Sequence, residues 1–323
     1  MKLPRRRFLH LAAGAAALPV VSRIARAQAY PSRPVRILEP FGAGGASDIV
    51  ARIVGQLLQD QLGQPVIVEN RSGAGGNIAT EAMIKSAPDG HTLLLAGTYN
   101  AINASLYERL NFNFIRDVTP VASIIRFPFV MEVHPSVPAK TVPEFIAYAK
   151  ANPGKLNMAS AGVGSGSHVA GELFRMMTGI ELLHVPFRGP QVLTGMISGQ
   201  AHVYFGIINS SIEHIRAGKL RALAVTGAAR WPALPEVPTV AESVEGYEAS
   251  GWLGIVTPKA TPVEIIGKLN TVINAGLAEP RVKAALEAGG TVYPASPADF
   301  GRLISDETEK WAKVVKFSGA KPD

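Results

Sequence analysis

Apolar positions along this chain recur in two rhythms, and the changes from one to the other mark its elements. Val35 to Pro40 reads as a buried strand, ended by proline and the loop Gly42-Ala43-Gly44-Gly45. Ser47 to Leu62 then repeats apolar residues at helical spacing, with Ile49, Ile53 and Leu57 beside Val50, Val54 and Leu58. Gly63 stops this helix, and Val66 to Val68 opens a second strand. Gly73 to Gly76 is a second glycine turn, followed by a helix from Asn77 to about Lys85, a turn at Asp89-Gly90 and a strand from Thr92 to Ala96. This is the grammar of a parallel sheet covered by helices.

The same alternation returns further on. Val121 to Ile125 and Phe129 to Val133 are strand-like, and Val142 to Ala151 is helical up to Asn152-Pro153-Gly154. A strand over Leu156 to Ala159 leads into the glycine loop Gly162 to Gly166 and a helix over Ser167 to Met177. Short strands are expected at Leu182 to Val185, His202 to Phe205, Arg221 to Val225 and Trp252 to Val256. Helices at Pro262 to Leu277, Pro280 to Glu287 and Pro297 to Phe317 close the chain. Two α/β units of similar size result. A crossing near Arg126 to Pro128 and a return near Ser250 to Trp252 predict two lobes, 30–128 plus 252–323 and 129–251.

Composition narrows the chemistry. The 323 residues are 47% hydrophobic and 18% charged, enough to bury a large core and too apolar for disorder. Cysteine is absent, which excludes disulfide scaffolds, thiolate metal sites and cysteine nucleophiles. The net charge of +7 suggests nucleic acid, but Lys2, Arg5, Arg6, Arg7, Arg23 and Arg26 supply six of those charges, and without them the balance is +1. Nucleic acid is therefore not an expected partner. Arg5-Arg6-Arg7-Phe8-Leu9, the Ala-rich stretch Leu11 to Val21 and the small-x-small pairs ending at Ala27 and Ala29 read as a twin-arginine export signal over residues 1–29, cleaved near Ala27 or Ala29. The general secretory route and an uncleaved amphipathic helix are the alternatives. The apolar stretch is shorter than the roughly 20 residues that span a bilayer. A periplasmic location follows, where ATP and NAD are scarce.

Two loops can carry chemistry: Gly42-Ala43-Gly44-Gly45-Ala46-Ser47-Asp48 and Gly162-Val163-Gly164-Ser165-Gly166-Ser167-His168. Each follows an expected strand and opens an expected helix, where unpaired N–H groups and the helix dipole favour an anion. One on each lobe could grip a small anion in the cleft; tight turns capped by Ser47 and Ser167 are the plainer alternative. Neither is a nucleotide fingerprint, because Ser47 and Ser167 stand at the third glycine position and no Gly-Lys-Ser/Thr occurs. Without Lys or Arg, these loops suit a carboxylate rather than a triphosphate. The histidines show no metal-ligand spacing, and Gly164-Ser165-Gly166 is not a nucleophile elbow, so no metal, cofactor or catalytic residue is expected. A hydrolase using Ser165 or Ser167 with His168 is the enzyme alternative. Asp48 reads as a first-turn dipole partner. Arg188 is the one strong cation in a plausible cleft loop, and either a ligand carboxylate or an ion pair could engage it. The tryptophans Trp231, Trp252 and Trp311 read as core or surface anchors.

The chain resembles the solute-binding proteins of tripartite tricarboxylate transporters, the Bug family. The resemblance runs through Pro40-Phe41-Gly42-Ala43-Gly44-Gly45 with Asp48 and Arg52, Val68-Glu69-Asn70-Arg71-Ser72-Gly73-Ala74-Gly75-Gly76-Asn77 and Pro88-Asp89-Gly90-His91-Thr92-Leu93. It continues through His184-Val185-Pro186-Phe187-Arg188-Gly189, Gly218 to Val225 and Val237-Pro238-Thr239-Val240-Ala241-Glu242. It implies an α/β, two-lobed periplasmic binding protein fold (type II-like), each lobe a mostly parallel sheet flanked by helices. A monomeric receptor would then close on a small carboxylate and present it to the membrane permease subunits of such a transporter. A sensor presenting the ligand to a two-component system is the rival reading; permease genes beside this one would favour transport. Ligand contacts carried over by the resemblance are Phe41, Gly42, Gly44, Gly45, Ala46, Ser47 and Asp48, then Gly97 and Thr98. In the second lobe they are Ser160, Gly162, Gly164, Ser165, Gly166, Ser167, His168, Phe187, Arg188, Gly189, Phe205 and Gly206. Three positions depart from many members, which carry Tyr at Phe187 and Asp at Gly195 and Gly206; the segment Gly189 to Thr194 is also one residue short. Losing acids that could pair with an ammonium predicts a non-amino carboxylate.

Overall fold

The computed structural model describes residues 30–189 and 191–322; the expected leader and its cleavage sites lie outside them. Ten strands, β1 Val35–Glu39, β2 Val66–Asn70, β3 Thr92–Gly97, β4 Val118–Val133, β5 Asn157–Ser160, β6 Leu183–Pro186, β7 Val203–Ile207, β8 Arg221–Val225, β9 Ser250–Pro258 and β10 Thr291–Val292, form one curled sheet. Its path is β2-β1-β3-β9-β4-β7-β5-β6, and β8 and β10 also pair with β4.

The long strand β4 is the key to this path. Its first part lies antiparallel to β9, from Val118 opposite Pro258 to Pro128 opposite Ser250. Its last part, Phe129 to Val133, lies antiparallel to β7 and β8 on its two sides. The first half of the sheet therefore runs β2-β1-β3-β9-β4, and the second runs β6-β5-β7-β4-β8. In both, three parallel strands are followed by two antiparallel steps. The same topology occurs twice, with β1 matched by β5, and β4 serves both halves.

Alternation along the central strands explains the layering. In β3, Leu93 and Leu95 face one core with Ile37, Val54 and Leu58, whereas Leu94 and Ala96 face the other with Leu38, Ala79 and Met83. Both faces are covered by helices, as a parallel sheet requires. The C-terminal helix Pro297–Ser318 packs against the helices Thr98–Leu106 and Gly166–Thr178, tying the two halves together. No helix among the described residues is long and apolar enough to cross a membrane.

Two expectations need correction. The strand-like runs either side of Arg126 to Pro128 are one strand of 16 residues, because Arg126, Phe127 and Pro128 stay in register with Trp252, Gly251 and Ser250 of β9. The helix Thr98–Leu106 was not expected. Its polar Asn100 and Asn103 blur the apolar stripe, yet both are buried, and Asn100 Oδ1 accepts from Gly97 N at 3.0 Å as a capping contact.

Candidate functional site: a cavity between two matched glycine loops

A cavity of about 400 Å³ opens between the two halves of the sheet, within the usual size for a small-molecule site. The first half contributes Phe41, Gly75, Thr98, Tyr99, Asn103, Leu106 and Tyr107. Strand β4 adds Phe127 and Phe129, and β9 adds Gly251, Trp252 and Leu253. The second half closes it with the whole run Ala161 to Ser167, Tyr204 and Ile207. Among these residues none carries a charged side chain.

The second glycine loop is built as one wall. It follows β5, and its backbone turns at positive φ at Gly162 and Gly164. Ala161 N donates to Ser167 Oγ at 3.0 Å, and Gly164 N donates to His168 Nδ1 at 3.1 Å. Ser165 donates to Gly162 O at 2.7 Å and accepts from His168 N, capping the helix Gly166–Thr178. A side chain at Gly164 would stand 2.3 Å from Leu106 Cδ2, and one at Gly166 would stand 2.6 Å from Phe129 Cζ. Glycine is what lets this loop approach the opposite wall. Gly166 and Ser167 lie in the first helical turn, where N–H groups have no intrahelical acceptor, and both line the cavity.

Behind the loop, His168 is only 3% exposed and stacks on His184 with centroids 3.9 Å apart. Burial, then the neighbouring His184 and Arg175, push the His168 imidazole down to a pKa of about 3, so it is a neutral acceptor. Ser160 is buried and hydrogen-bonds His184 Nε2 at 2.7 Å.

The first glycine loop occupies the matching place after β1 and is held by carboxylates instead. Glu39 Oε2 accepts from Phe41 N at 2.8 Å, and Glu39 Oε1 accepts from Ser47 Oγ at 2.6 Å. Asp48 Oδ2 accepts from Gly44 N at 2.9 Å and from Arg52 Nε at 2.8 Å. Asn70 Nδ2 bridges Glu39 and Asp48 at 2.8 and 2.9 Å. The Arg52 guanidinium is the main cause that holds the Asp48 carboxyl down at about 2.

Of the residues singled out from the sequence, Phe41, Thr98, Gly162, Gly164, Ser165, Gly166 and Ser167 line the cavity. Gly42, Gly44, Gly45 and Ala46 lie in the exposed part of the first loop, with Ser47 and Asp48 in the network beneath it. Gly97, Ser160 and His168 stand one layer behind the walls. Phe187 is half-buried with its ring 2.3 Å from where a Gly195 side chain would start, and Arg188 and Gly189 follow it, Arg188 exposed. Phe205 points into the core against Phe174, and a side chain at Gly206 would stand 2.6 Å from the Tyr204 ring and 2.9 Å from Glu132 Oε1. Strand alternation gives the cavity Tyr204 rather than Phe205. Glu132 is fully buried and gives one oxygen to Ser211 at 2.7 Å; burial pushes its carboxyl up to about 8.

The wall residues not singled out come mainly from three places. Tyr99, Asn103 and Leu106 ride on the helix Thr98–Leu106, and Tyr107 follows it. Phe127 and Phe129 sit where the chain crosses between halves, and Trp252 sits at the return. The aromatic cluster Phe127-Pro128-Phe129 at the crossing was the available signal.

A doubled sheet sharing β4, with a cavity between its halves, is the architecture of the two-lobed periplasmic solute-binding proteins. The chain belongs to the tripartite tricarboxylate transporter family receptors, whose model matches residues 50–319. It is 38% identical to the protein BugT of Bordetella pertussis over 91% of this chain and 92% of that protein. Among solved structures it is similar to Rpa4515 of R. palustris with adipate, at TM-score 0.79 and 35% identity, covering 91% of this chain and 100% of that one. It is also similar to MatC of Rhodopseudomonas palustris with bound malate, at TM-score 0.75 and 31% identity, covering 88% and 100%. Members of this family are periplasmic receptors and not enzymes.

Proposed function

We propose that this chain is exported, loses a leader near Ala27 or Ala29, and captures a small non-amino carboxylate between lobes 30–128 plus 252–323 and 129–251. The observation that carries this reading is a cavity whose walls come from both lobes, with the unpaired N–H groups of Gly166 and Ser167 on one side and no acid to meet an ammonium. The adipate and malate held by two similar receptors support the carboxylate. A ligand touching both lobes stabilises the closed form over the open one, and that population shift is what a membrane permease can read. The receptor acts as a monomer with the membrane subunits of a tripartite tricarboxylate-type transporter.

The test is a thermal-shift screen of protein stripped of carried ligand by partial unfolding and dialysis. The panel holds di- and tricarboxylates, aromatic acids, acidic amino acids and neutral controls. A ligand at 100 times its Kd adds about 2.7 kcal/mol of apparent stability, a shift of a few degrees. A shift confined to non-amino carboxylates is expected. Aspartate or glutamate binding as tightly as their non-amino analogues overturns the choice of class, and a flat response to every carboxylate overturns the reading itself.

A further inference from the structure

The cavity takes first-turn N–H groups from both halves: Thr98 and Tyr99 from one, Gly166 and Ser167 from the other. Behind the second pair lies a carboxyl with no part yet in the site. Glu132 on β4 stands directly opposite Tyr204 on β7, and side chains so paired share one face of the sheet. The point where a Gly206 side chain would start lies 2.6 Å from the Tyr204 ring, 2.9 Å from Glu132 Oε1 and 2.9 Å from Ser211 Oγ. With no side chain there, carboxyl, hydroxyl and ring close on one another. The Tyr204 ring lines the cavity, and its hydroxyl is hydrogen-bonded to Ser167. One tyrosine ring therefore separates the Glu132 carboxyl from the N–H groups that can take a ligand carboxylate.

The surroundings give this carboxyl little means of holding a charge. Glu132 is fully buried; Oε1 accepts from Ser211 at 2.7 Å, and Oε2 has no partner. Its titratable neighbour on β7 is Tyr204, whose phenol is pushed up by burial and then by Glu132 itself. On β8, Ala222 stands opposite, and the adjoining Arg221 turns its guanidinium to Val137 O and Ala139 O at 3.1 and 2.9 Å. On the helix Ile208–Arg216, Glu213 pairs with Arg216 at 2.9 Å, and His214 is half-buried. His202, just before β7, accepts from Asn157 N at 2.9 Å. A buried carboxyl with one neutral donor keeps its proton well above the ordinary range, here up to about 8.

Resting on the receptor reading above, we infer that anion capture is coupled to a proton: Glu132 must be protonated for a carboxylate to bind tightly at Gly166 and Ser167, and the ligand is held more weakly once that proton leaves. Ionised, Glu132 would set a second negative charge behind the same tyrosine. At roughly 10 Å in a protein interior, that repulsion costs an anion about tenfold in affinity. The coupling is reciprocal, so a bound anion holds the proton more tightly.

Calorimetry and tryptophan fluorescence of the stripped protein with adipate, malate and benzoate test this from pH 7 to 9.5, where all three acids are fully ionised and the His168 imidazole is neutral. Affinity is expected to fall about tenfold across that range. At pH 8.5, titrations in two buffers of different ionisation heat should show about half a proton taken up per ligand. A flat profile, or no proton taken up, overturns the coupling and leaves a carboxylate receptor in place. Silence from every carboxylate at every pH removes the receptor reading beneath it. Glu132→Gln should bind with one affinity across the range; a retained slope assigns the proton to another group and overturns the role of Glu132. Ser211→Ala, which removes the one donor to Glu132, should move the midpoint of the fall to higher pH. An unmoved midpoint overturns that role as well.

Discussion

Gly44 and Gly164 occupy matching places after β1 and β5, both at positive φ, and each donates its N–H to the side chain four residues on. In the first loop that side chain is Asp48, paired with Arg52 one helical turn further. In the second it is His168, with Glu172 one turn further and 3.8 Å away. The backbone solution is shared and the electrostatics are reversed. The first loop carries its own carboxylates and has little use for another anion. The second is held by a neutral imidazole and hydroxyls, and its free N–H groups open on the cavity. A glycine turn before a helix is thus a scaffold; the residues that bind its N–H groups decide whether a ligand can use it.

The largest expected effect on this contrast is pH. His168 has a folded pKa of about 3 against 6.5 unfolded, so the unfolded chain takes up a proton first and stability is lost as pH falls from 6.5 towards 3. Glu132 has the opposite sign: at about 8 against 4.5, it stays protonated in the fold, and stability is lost as pH rises from 4.5 to 8. Between 4.5 and 6.5 the two slopes cancel, and a flat maximum is expected there; each group's full shift is worth on the order of 4 kcal/mol, of which about 2 kcal/mol shows as the limb outside the plateau. Asp48, in the first loop, contributes above its unfolded 3.8 and loses that only as pH falls towards 2. Urea midpoints measured across pH check this. His168→Gln should flatten the limb below 4.5 and Glu132→Gln the limb above 6.5; an unchanged acid limb in His168→Gln refutes a neutral buried imidazole.

Alanine at the two matched glycines separates shared strain from unequal contact. At Gly44 the added methyl meets nothing within 4 Å, so only the left-handed backbone opposes it, about 1–2 kcal/mol. At Gly164 the same strain is joined by a methyl 2.3 Å from Leu106 on the opposite wall. Gly164→Ala should cost about 2–4 kcal/mol and weaken ligand binding, whereas Gly44→Ala should leave binding intact. Equal losses of stability and affinity in the two variants would show that the loops are not used differently.

Much of the architecture was readable before the structure, whereas the asymmetry of the two loops was not, since both lack Lys and Arg and both read as anion cradles. The strands, the flanking helices and both glycine loops follow from local periodicity and turn residues. The neutral chemistry of the second loop also followed, since Gly162 to Ser167 holds no charge. The crossing at Arg126 to Pro128 looked like a break because proline and arginine interrupt the local pattern, whereas its continuity depends on β9, more than a hundred residues away. Glu39 and Asn70 sit on different strands, and their closure over Asp48 is a product of register: Glu39 pairs with Asn70 between β1 and β2. The choice of Tyr204 over Phe205 for the cavity needed the face of β7, which sequence leaves open when both neighbours are aromatic.

Smaller effects probe the first loop alone. Asp48→Asn removes the charge while keeping an acceptor for Gly44, and should cost about 1–2 kcal/mol in a urea titration at pH 7. Because Asp48 lies behind the cavity wall, carboxylate affinity should hold or tighten as the negative charge is lost; a tenfold loss would place the ligand's carboxylate on this loop instead.

The smallest effect belongs to Arg52, whose side chain is 54% exposed while its partner Asp48 is 3% exposed. Arg52→Gln removes the largest cause of Asp48's low pKa but leaves the Gly44 and Asn70 donors in place. Exposed ion pairs contribute little at neutral pH, so the midpoint at pH 7 should move less than in Asp48→Asn. The acid limb due to Asp48 should move up from about 2 towards 3.8, and an anionic ligand should bind more weakly as the carboxylate loses its counter-charge. The double variant Asp48→Asn, Arg52→Gln should restore affinity, since neither charge is then present. If it does not, Arg52 acts on the ligand by itself and the first loop has a cationic role that its position outside the cavity wall argues against.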